Sequence, residues 1–218
     1  MSPSASATPW APLDAQAVAT LLTRAPVRWW LSGGAALDRW RGRPIRRRTN
    51  IDVSVVAADL PALVASLPDG FSAWAPVGDD GELIVPFSEA RLDADPQPVL
   101  VRDDARGAWA LQVNAEDGSP RAWVYRRDPR LTLPWDRAVL DLDGIPTGAP
   151  EVQLVWKALR PRPEDDVDKD AVVPELGDDA RAWYERAILT IHPHSSWSIH
   201  VRSPFAPGKA SWNRGSRS

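Results

Sequence analysis

The alternation of apolar and polar positions predicts helices and strands in turn over the first quarter of the chain. Residues 15–24 carry an apolar stripe at helical spacing, with Asp14 as the N-cap. Residues 27–31 form a dense apolar run, typical of a buried strand, and a glycine pair follows directly. Residues 35–40 favour a helix. Residues 51–56 alternate between apolar and polar side chains, which predicts a half-buried strand.

Shorter patterns extend this prediction towards the C-terminus. A helix is expected over residues 59–67, and strands over 71–76 and 82–87. Residues 109–115 and 122–126 are expected to form a hairpin around the turn at 117–120. Glycine and proline are frequent at 144–150, which predicts a linker, and helices are expected at 150–160 and 178–191.

These elements divide the chain into four predicted segments. Residues 1–12 are expected to form a flexible arm, and residues 13–145 the main domain of strands and helices. Residues 146–197 form a small C-terminal helical part, and residues 198–218, basic and without acidic residues, a disordered tail. The predicted fold class is therefore α/β (α+β), a mixed sheet flanked by helices and followed by a helical part.

Composition narrows the classes of function. The chain has 218 residues, 12 tryptophans and no cysteine, which excludes disulfides and thiolate zinc sites. A net charge of −3 argues against a nucleic-acid partner. No apolar run approaches the roughly 18 residues that a membrane span requires, so no membrane association is expected and the cytoplasm is the default location.

Ser32, Gly33 and Gly34 lie between the predicted apolar strand and a helix. Two glycines at this position allow backbone N–H groups to approach a phosphate, and the helix N-terminus adds a favourable partial charge. The structural alternative is a tight turn that needs only the conformational freedom of glycine.

The strand that follows carries a second polar feature. Strand alternation places Asn50, Asp52 and Ser54 on one face, opposite Ile51 and Val53. Two carboxylates at positions i and i+2 could hold Mg²⁺ and direct it at a triphosphate. Here the first position is Asn50, so only Asp52 is charged. A half-exposed strand with an outward polar face is the alternative interpretation.

The order of these motifs resembles the nucleotidyltransferase superfamily, which shares the DNA polymerase β-type fold. Residues 30–38 (WLSGGAALD) and 46–53 (RRRTNIDV) are similar to the signatures of its aminoglycoside adenylyltransferase-like branch. Residues 149–158 (APEVQLVWKA) and 192–197 (HPHSSW) resemble later motifs of that branch. The resemblance covers residues 13–197 and implies a nucleotidyltransferase-type mixed sheet in the main domain.

Departures from the family pattern define the main functional hypothesis. The resemblance implies three carboxylates that hold two Mg²⁺ ions, the third also serving as the base. Asn50 and Gln112 stand at the first and third positions, and Arg48 replaces an expected histidine. Asp52 is the one metal-binding carboxylate left. Because Mg²⁺ is held largely by charge, weak or absent metal binding is expected.

Other residues could support or restore activity. The resemblance implies that Lys157, one of three lysines, contacts the triphosphate, although a solvated helix residue paired with Glu151 or Asp165 is the alternative. Glu116 and Asp38 could substitute for the missing carboxylates. The five arginines of residues 41–48 could hold phosphate or form a solvated basic loop.

Three hypotheses follow from the sequence. The first is a catalytically impaired nucleotidyltransferase-like protein that still binds nucleotide through Ser32, Gly33, Gly34 and Lys157. The second is an active Mg²⁺-dependent transferase that moves a nucleoside monophosphate from an NTP to a small hydroxyl-bearing molecule. The third is a tryptophan-rich module that binds a protein partner, with Trp10, Trp74 and Trp212 as its exposed contacts.

Overall fold

The chain divides after Ala149 into two compact units, Met1–Ala149 and Pro150–Ser218. The structure, a computed structural model, describes residues 5–77, 83–91, 95 and 97–202. In the first unit a mixed sheet is flanked by helices, and in the second unit the described residues form helices without a strand. The predicted fold class is confirmed.

One mixed sheet organises the first unit. Its described strands are β1 (Trp29–Ser32), β2 (Asp52–Val56), β3 (Phe71–Val77), β4 (Leu83–Pro86), β5 (Val99–Asp103), β6 (Ala108–Gly118), β7 (Ala122–Val124), β8 (Thr132–Pro134), β9 (Val139–Leu142) and β10 (Ile145–Gly148). The strand order is β4-β3-β5-β6-β2-β1-β10-β9, and β7 pairs with both β6 and β8. The β1–β10 and β2–β6 pairs are parallel, and the others are antiparallel.

The helices of the first unit are α1 (Ala15–Leu21), α2 (Gly33–Trp40), α3 (Leu60–Ala65) and the single turn α4 (Trp135–Ala138). Helices α1, α2 and α3 contribute to the main core on one face of this sheet, whereas Trp135 of α4 packs on Trp30, whose side chain alternates with that of the core residue Leu31. The main apolar core joins strand residues such as Leu31, Val53 and Val113 to Val18 of α1 and Leu63 of α3. Because side chains alternate along a strand, the polar residues between these core positions point to the opposite face.

The predicted linker at residues 144–150 contains a strand. β10 pairs with β1 at Thr147 and Leu31, and with β9 through the turn at Gly144. Gly144 has a φ of +76° and its N–H donates to Asp141 Oδ1 at 2.7 Å, as in a tight turn. The glycines and prolines that suggested a linker therefore mark a hairpin turn and the end of a strand.

Four tryptophans predicted to be core residues are at most 2% exposed: Trp30, Trp109, Trp123 and Trp197. Trp156 is only partly buried. Trp10 and Trp74, expected to form exposed contacts, are partly buried and pack against a second apolar cluster of Ile84, Leu100 and Trp109. Trp212 lies outside the described residues.

Both predicted terminal segments differ from the structure at their inner ends. The Trp109 N–H donates to the Pro9 carbonyl at 2.8 Å, and the Ala11 N–H donates to the Trp109 carbonyl at 3.0 Å. The end of the predicted arm is thus attached to β6. At the other terminus, the predicted tail begins inside helix α8 (Ser196–Arg202), where Ser198 is fully buried. Residues 203–218 lie outside the described residues.

The second unit contains α5 (Pro150–Ala158), α6 (Pro163–Val172), α7 (Asp178–Ile191) and α8. Packing of α5 and α8 against α7 gives this unit its framework. The Trp197 indole N–H of α8 donates to Asp166 Oδ1 of α6 at 2.7 Å. Helix α6 was not predicted, because its charged sequence lacks an apolar stripe.

Candidate functional site

Three polar side chains form a row across adjacent strands. Ser32 of β1 is paired with Asp52 of the antiparallel strand β2, and Asp52 is paired with Gln112 of the parallel strand β6. Neighbouring strands lie about 4.8 Å apart, so side chains at paired positions on one face are direct neighbours. The structure therefore brings Ser32, Asp52 and Gln112 together beside the start of α2.

Asp52 lies directly against the glycine that begins α2. A Cβ atom built on Gly33 would stand 2.2 Å from Asp52 Oδ2, far inside van der Waals contact. Gly33 also has a φ of +58°, a conformation that other residues adopt at a cost. Both the backbone conformation and the nearby carboxylate therefore require glycine here.

Asn50 binds Asp52 through its amide nitrogen. Asn50 Nδ2 donates to Asp52 Oδ1 at 3.1 Å. A carboxylate only accepts hydrogen bonds, so the amide turns its N–H, and not its oxygen, towards Asp52. A shared metal ion would require oxygen atoms from both side chains to point at it. This hydrogen bond instead joins the two side chains directly.

The residues present do not fit Mg²⁺. The row offers one carboxylate, on Asp52, beside the neutral amides of Asn50 and Gln112, whereas protein Mg²⁺ sites use carboxylates as their main ligands. Within the described part of the chain, no group of three or more His, Cys, Asp or Glu residues could hold a metal ion. The donor set therefore disagrees with the metal that the resemblance implies.

Arg48 lies against the second glycine of α2. A Cβ atom on Gly34 would stand 2.6 Å from both Cζ and Nη1 of Arg48. Asp38 holds this guanidinium by two hydrogen bonds, from Nε to Oδ2 at 2.8 Å and from Nη2 to Oδ1 at 2.6 Å. Asp38 Oδ1 also accepts from the Ile45 N–H at 2.9 Å. Asp38 thus anchors Arg48 and its loop.

This anchoring corrects the idea that Asp38 could supply a missing metal ligand, because both of its oxygens hold Arg48. The pairing of Arg48 with Asp38 was not predicted from the sequence. Arg48 was noted there only as the residue that replaces an expected histidine. The available signal was a positive charge close to two positions where the resemblance implies negative charges.

Glu116 does not join the row either. It is paired with Val56 and lies four residues beyond Gln112 on β6, which is about 14 Å along the strand. The carboxylate is 3% exposed and accepts a hydrogen bond from the Trp123 indole N–H. Burial raises the pKa of the neighbouring Tyr125 to about 12, with a smaller raising contribution from the charge of Glu116 and a lowering one from Arg127. Glu116 therefore belongs to a separate buried cluster.

Two buried hydroxyl groups flank Asp52 without a hydrogen-bond partner among the described residues. They are Ser32 Oγ and Ser54 Oγ, on residues that are 3% and 1% exposed. Ser32 is the N-cap of α2, yet its side chain makes no capping hydrogen bond. A buried hydroxyl without a partner costs about 1–3 kcal/mol, so the Ser32 hydroxyl is suited to a ligand at the helix N-terminus.

Lys157, in the second unit, belongs to a buried ion cluster. Its Nζ lies 2.6 Å from Asp165 Oδ1 and 3.1 Å from Asp168 Oδ2, and both aspartates are at most 3% exposed. Burial alone would raise the pKa of Asp165, but hydrogen bonds from Arg162 and Lys157 outweigh it and lower the pKa to about 2. The expected contact of Lys157 with a triphosphate stays a prediction, as does that of the arginine loop.

Fold and site together define a mixed α/β protein with a candidate anion site where a strand meets a glycine-initiated helix. Residues 14–77 match the sequence model of the aminoglycoside-2''-adenylyltransferase family. This stretch contains Gly33, Gly34 and Asp52, and it ends before Gln112 and Lys157. No curated protein is a significant match to the chain.

Two solved structures with low sequence identity are similar to most of the chain. A crystal structure of ANT(2'')-Ia in complex with adenylyl-2''-tobramycin is 14% identical, with a TM-score of 0.45, over 88% of this chain and 98% of that chain. An antigenic nucleotidyltransferase-like protein from Paracoccidioides brasiliensis is 18% identical, with a TM-score of 0.43, over 86% of this chain and 90% of that chain. None of the helices in the described residues is long and apolar enough to cross a membrane.

Proposed function

We propose that the protein is a nucleotidyltransferase-like protein that binds a nucleoside triphosphate at Ser32, Gly33 and Gly34 and has lost most of its transfer activity. The observation that carries the proposal is the composition of the row beside α2. Asp52 is its one carboxylate, and the side chains next to it, Asn50 and Gln112, are neutral amides.

Support for binding comes from the start of α2. Gly33 and Gly34 add no side chain of their own, and the helix N-terminus directs N–H groups and partial positive charge towards a phosphate. The buried Ser32 hydroxyl has no partner among the described residues and could donate to a phosphate oxygen. The family match over residues 14–77 includes this segment.

Support for impairment comes from charge. Phosphoryl transfer depends on positioning and on neutralising the charge that develops on the phosphates. Gln112 cannot accept a proton as a general base. The active-transferase alternative needs further carboxylates next to Asp52. Neither candidate supplies one, because Asp38 holds Arg48 and Glu116 lies about 14 Å along the strand from Gln112.

Binding is tested by Ser32→Ala, with Ser54→Ala as the matched control. Each variant removes a buried hydroxyl that has no partner within the described part of the chain, so neither is expected to lower the midpoint of thermal unfolding. Calorimetric titration with ATP is expected to show affinity reduced about fivefold or more in Ser32→Ala only. Unchanged affinity in Ser32→Ala would refute the placement of the phosphate, and no ATP binding by the wild type at millimolar concentration would refute the function.

Impairment is tested separately by pyrophosphate release. The wild-type protein is incubated with ATP, Mg²⁺ and tobramycin, the aminoglycoside whose adenylylated form is bound in the ANT(2'')-Ia crystal structure. We expect no release above the rate without protein. Protein-dependent release with this or another aminoglycoside would show that the transfer activity survives.

A further inference from the structure

We infer that Arg48 provides, within the protein itself, the positive charge that a divalent cation would bring to this site, so that phosphate binding there does not require Mg²⁺. The inference rests on the proposed function and concerns how the same site binds its ligand. The ligand class that we infer for the site is a polyphosphate chain without a bound metal ion.

The side chains of Arg48 and Asp52 lie against consecutive residues in the first turn of α2. The guanidinium lies over Gly34 and the carboxylate over Gly33, each close enough to exclude a Cβ atom. These are consecutive residues of one helix turn, so a phosphate bound at the helix N-terminus would meet Arg48 at close range. The absence of side chains on Gly33 and Gly34 makes room for both groups.

The guanidinium is held in place before any ligand binds. Asp38 bonds to Nε and Nη2, and the side chain of Arg48 is only 13% exposed. Such a fixed planar fork suits phosphate oxygens, because little conformational entropy is lost on binding.

The balance of charge favours an anion over a metal ion. Residues 41–48 contain five arginines and no acidic residue, against the two carboxylates of Asp38 and Asp52. A divalent cation placed beside Asp52 would be repelled by the fixed guanidinium and would find neutral amides at Asn50 and Gln112. A phosphate chain would be attracted by the same arginine-rich segment.

Calorimetric titration of the full chain with ATP and with inorganic pyrophosphate, each in Mg²⁺ and in EDTA, tests the inference. We expect dissociation constants that agree within about twofold between the two conditions, a difference below 0.5 kcal/mol. Binding that appears only with Mg²⁺ would overturn the inference and leave the proposed function standing. Failure to bind in either condition would overturn the proposed function as well.

Variants of Arg48 provide a second readout in EDTA. Arg48→Gln is expected to weaken ATP binding about tenfold or more, since it removes a charge-assisted contact, and Arg48→Lys is expected to fall between it and the wild type. Arg121→Gln, the same change at an exposed position on the β6–β7 turn, is the control. Wild-type affinity in a folded Arg48→Gln protein would contradict the inference. If Arg48→Gln does not fold, the inference is tested by comparing wild-type binding in Mg²⁺ with that in EDTA, and by the affinity of Arg48→Lys.

Discussion

At the scale of single residues, the site depends on a close approach between Asp52 and Gly33. Strand alternation predicted that Asn50, Asp52 and Ser54 share a face, because the side-chain period of a strand is two residues. It could not predict that the Asp52 carboxylate lies against Gly33, since that contact joins two strands through their register. The sequence pattern thus identified the polar face of β2, and the pairing of the strands placed Asp52 between Ser32 and Gln112.

Gly33→Ala should destabilise the protein more than a glycine substitution elsewhere. Positive φ alone costs a residue with a Cβ about 1–2 kcal/mol, and at Gly33 the new Cβ would also displace Asp52. Gly42→Ala is the matched control, because Gly42 has a φ of +68° and open space around its Cβ position. Urea unfolding should show the larger loss in Gly33→Ala, and equal losses would show that Asp52 does not press on this glycine.

At the scale of elements, periodicity predicted the amphipathic helices and failed where charge or turn residues hid the pattern. Helices α1 and α7 contain apolar residues at helical spacing and were predicted to within a few residues. Helix α6 is stabilised instead by the buried pairing of Lys157 with Asp165 and Asp168. The sequence offered Asp165 as one partner of a solvated Lys157, but because the pairing links two helices, no local sequence pattern shows that it is buried.

Asp165→Asn is expected to destabilise the protein in a pH-dependent way. The pKa of Asp165 is lowered to about 2 in the folded state, against about 3.9 for an unfolded chain. The ion cluster therefore stabilises the fold above pH 4, and this contribution is lost as the pH falls towards 2. Thermal unfolding should show a loss of about 2 kcal/mol in Asp165→Asn at pH 7 that shrinks towards pH 2.

Asp170→Asn serves as the control for this prediction, because Asp170 forms an exposed ion pair with Lys169, and such pairs contribute about 1 kcal/mol at most. An Asp165→Asn loss that is equally large at pH 2 and pH 7 would contradict the assignment of Asp165 to a charged cluster.

At the scale of the whole molecule, the fold class was predictable and the chemistry of the site was predictable in part. The order of strands, glycines and helices predicted a mixed sheet with a helical C-terminal part, and the structure has that arrangement. The neutral residues Asn50 and Gln112 were also visible in the sequence. The role of Arg48 in supplying positive charge was not visible in the sequence. The hydrogen bonds from Arg48 to Asp38 close a loop, and no sequence motif specifies the conformation of that loop.

Introducing the two carboxylates that the resemblance implies tests the central claim most directly. Asn50→Asp combined with Gln112→Asp would place three carboxylates around one point, and calorimetric titration should then detect Mg²⁺ binding that the wild-type protein lacks. Asn50→Asp combined with Asn114→Asp adds the same charge with one carboxylate paired to Ser54 instead of Asp52, and it should gain little affinity. A folded Asn50→Asp/Gln112→Asp protein that binds Mg²⁺ no better than the wild type would contradict the account.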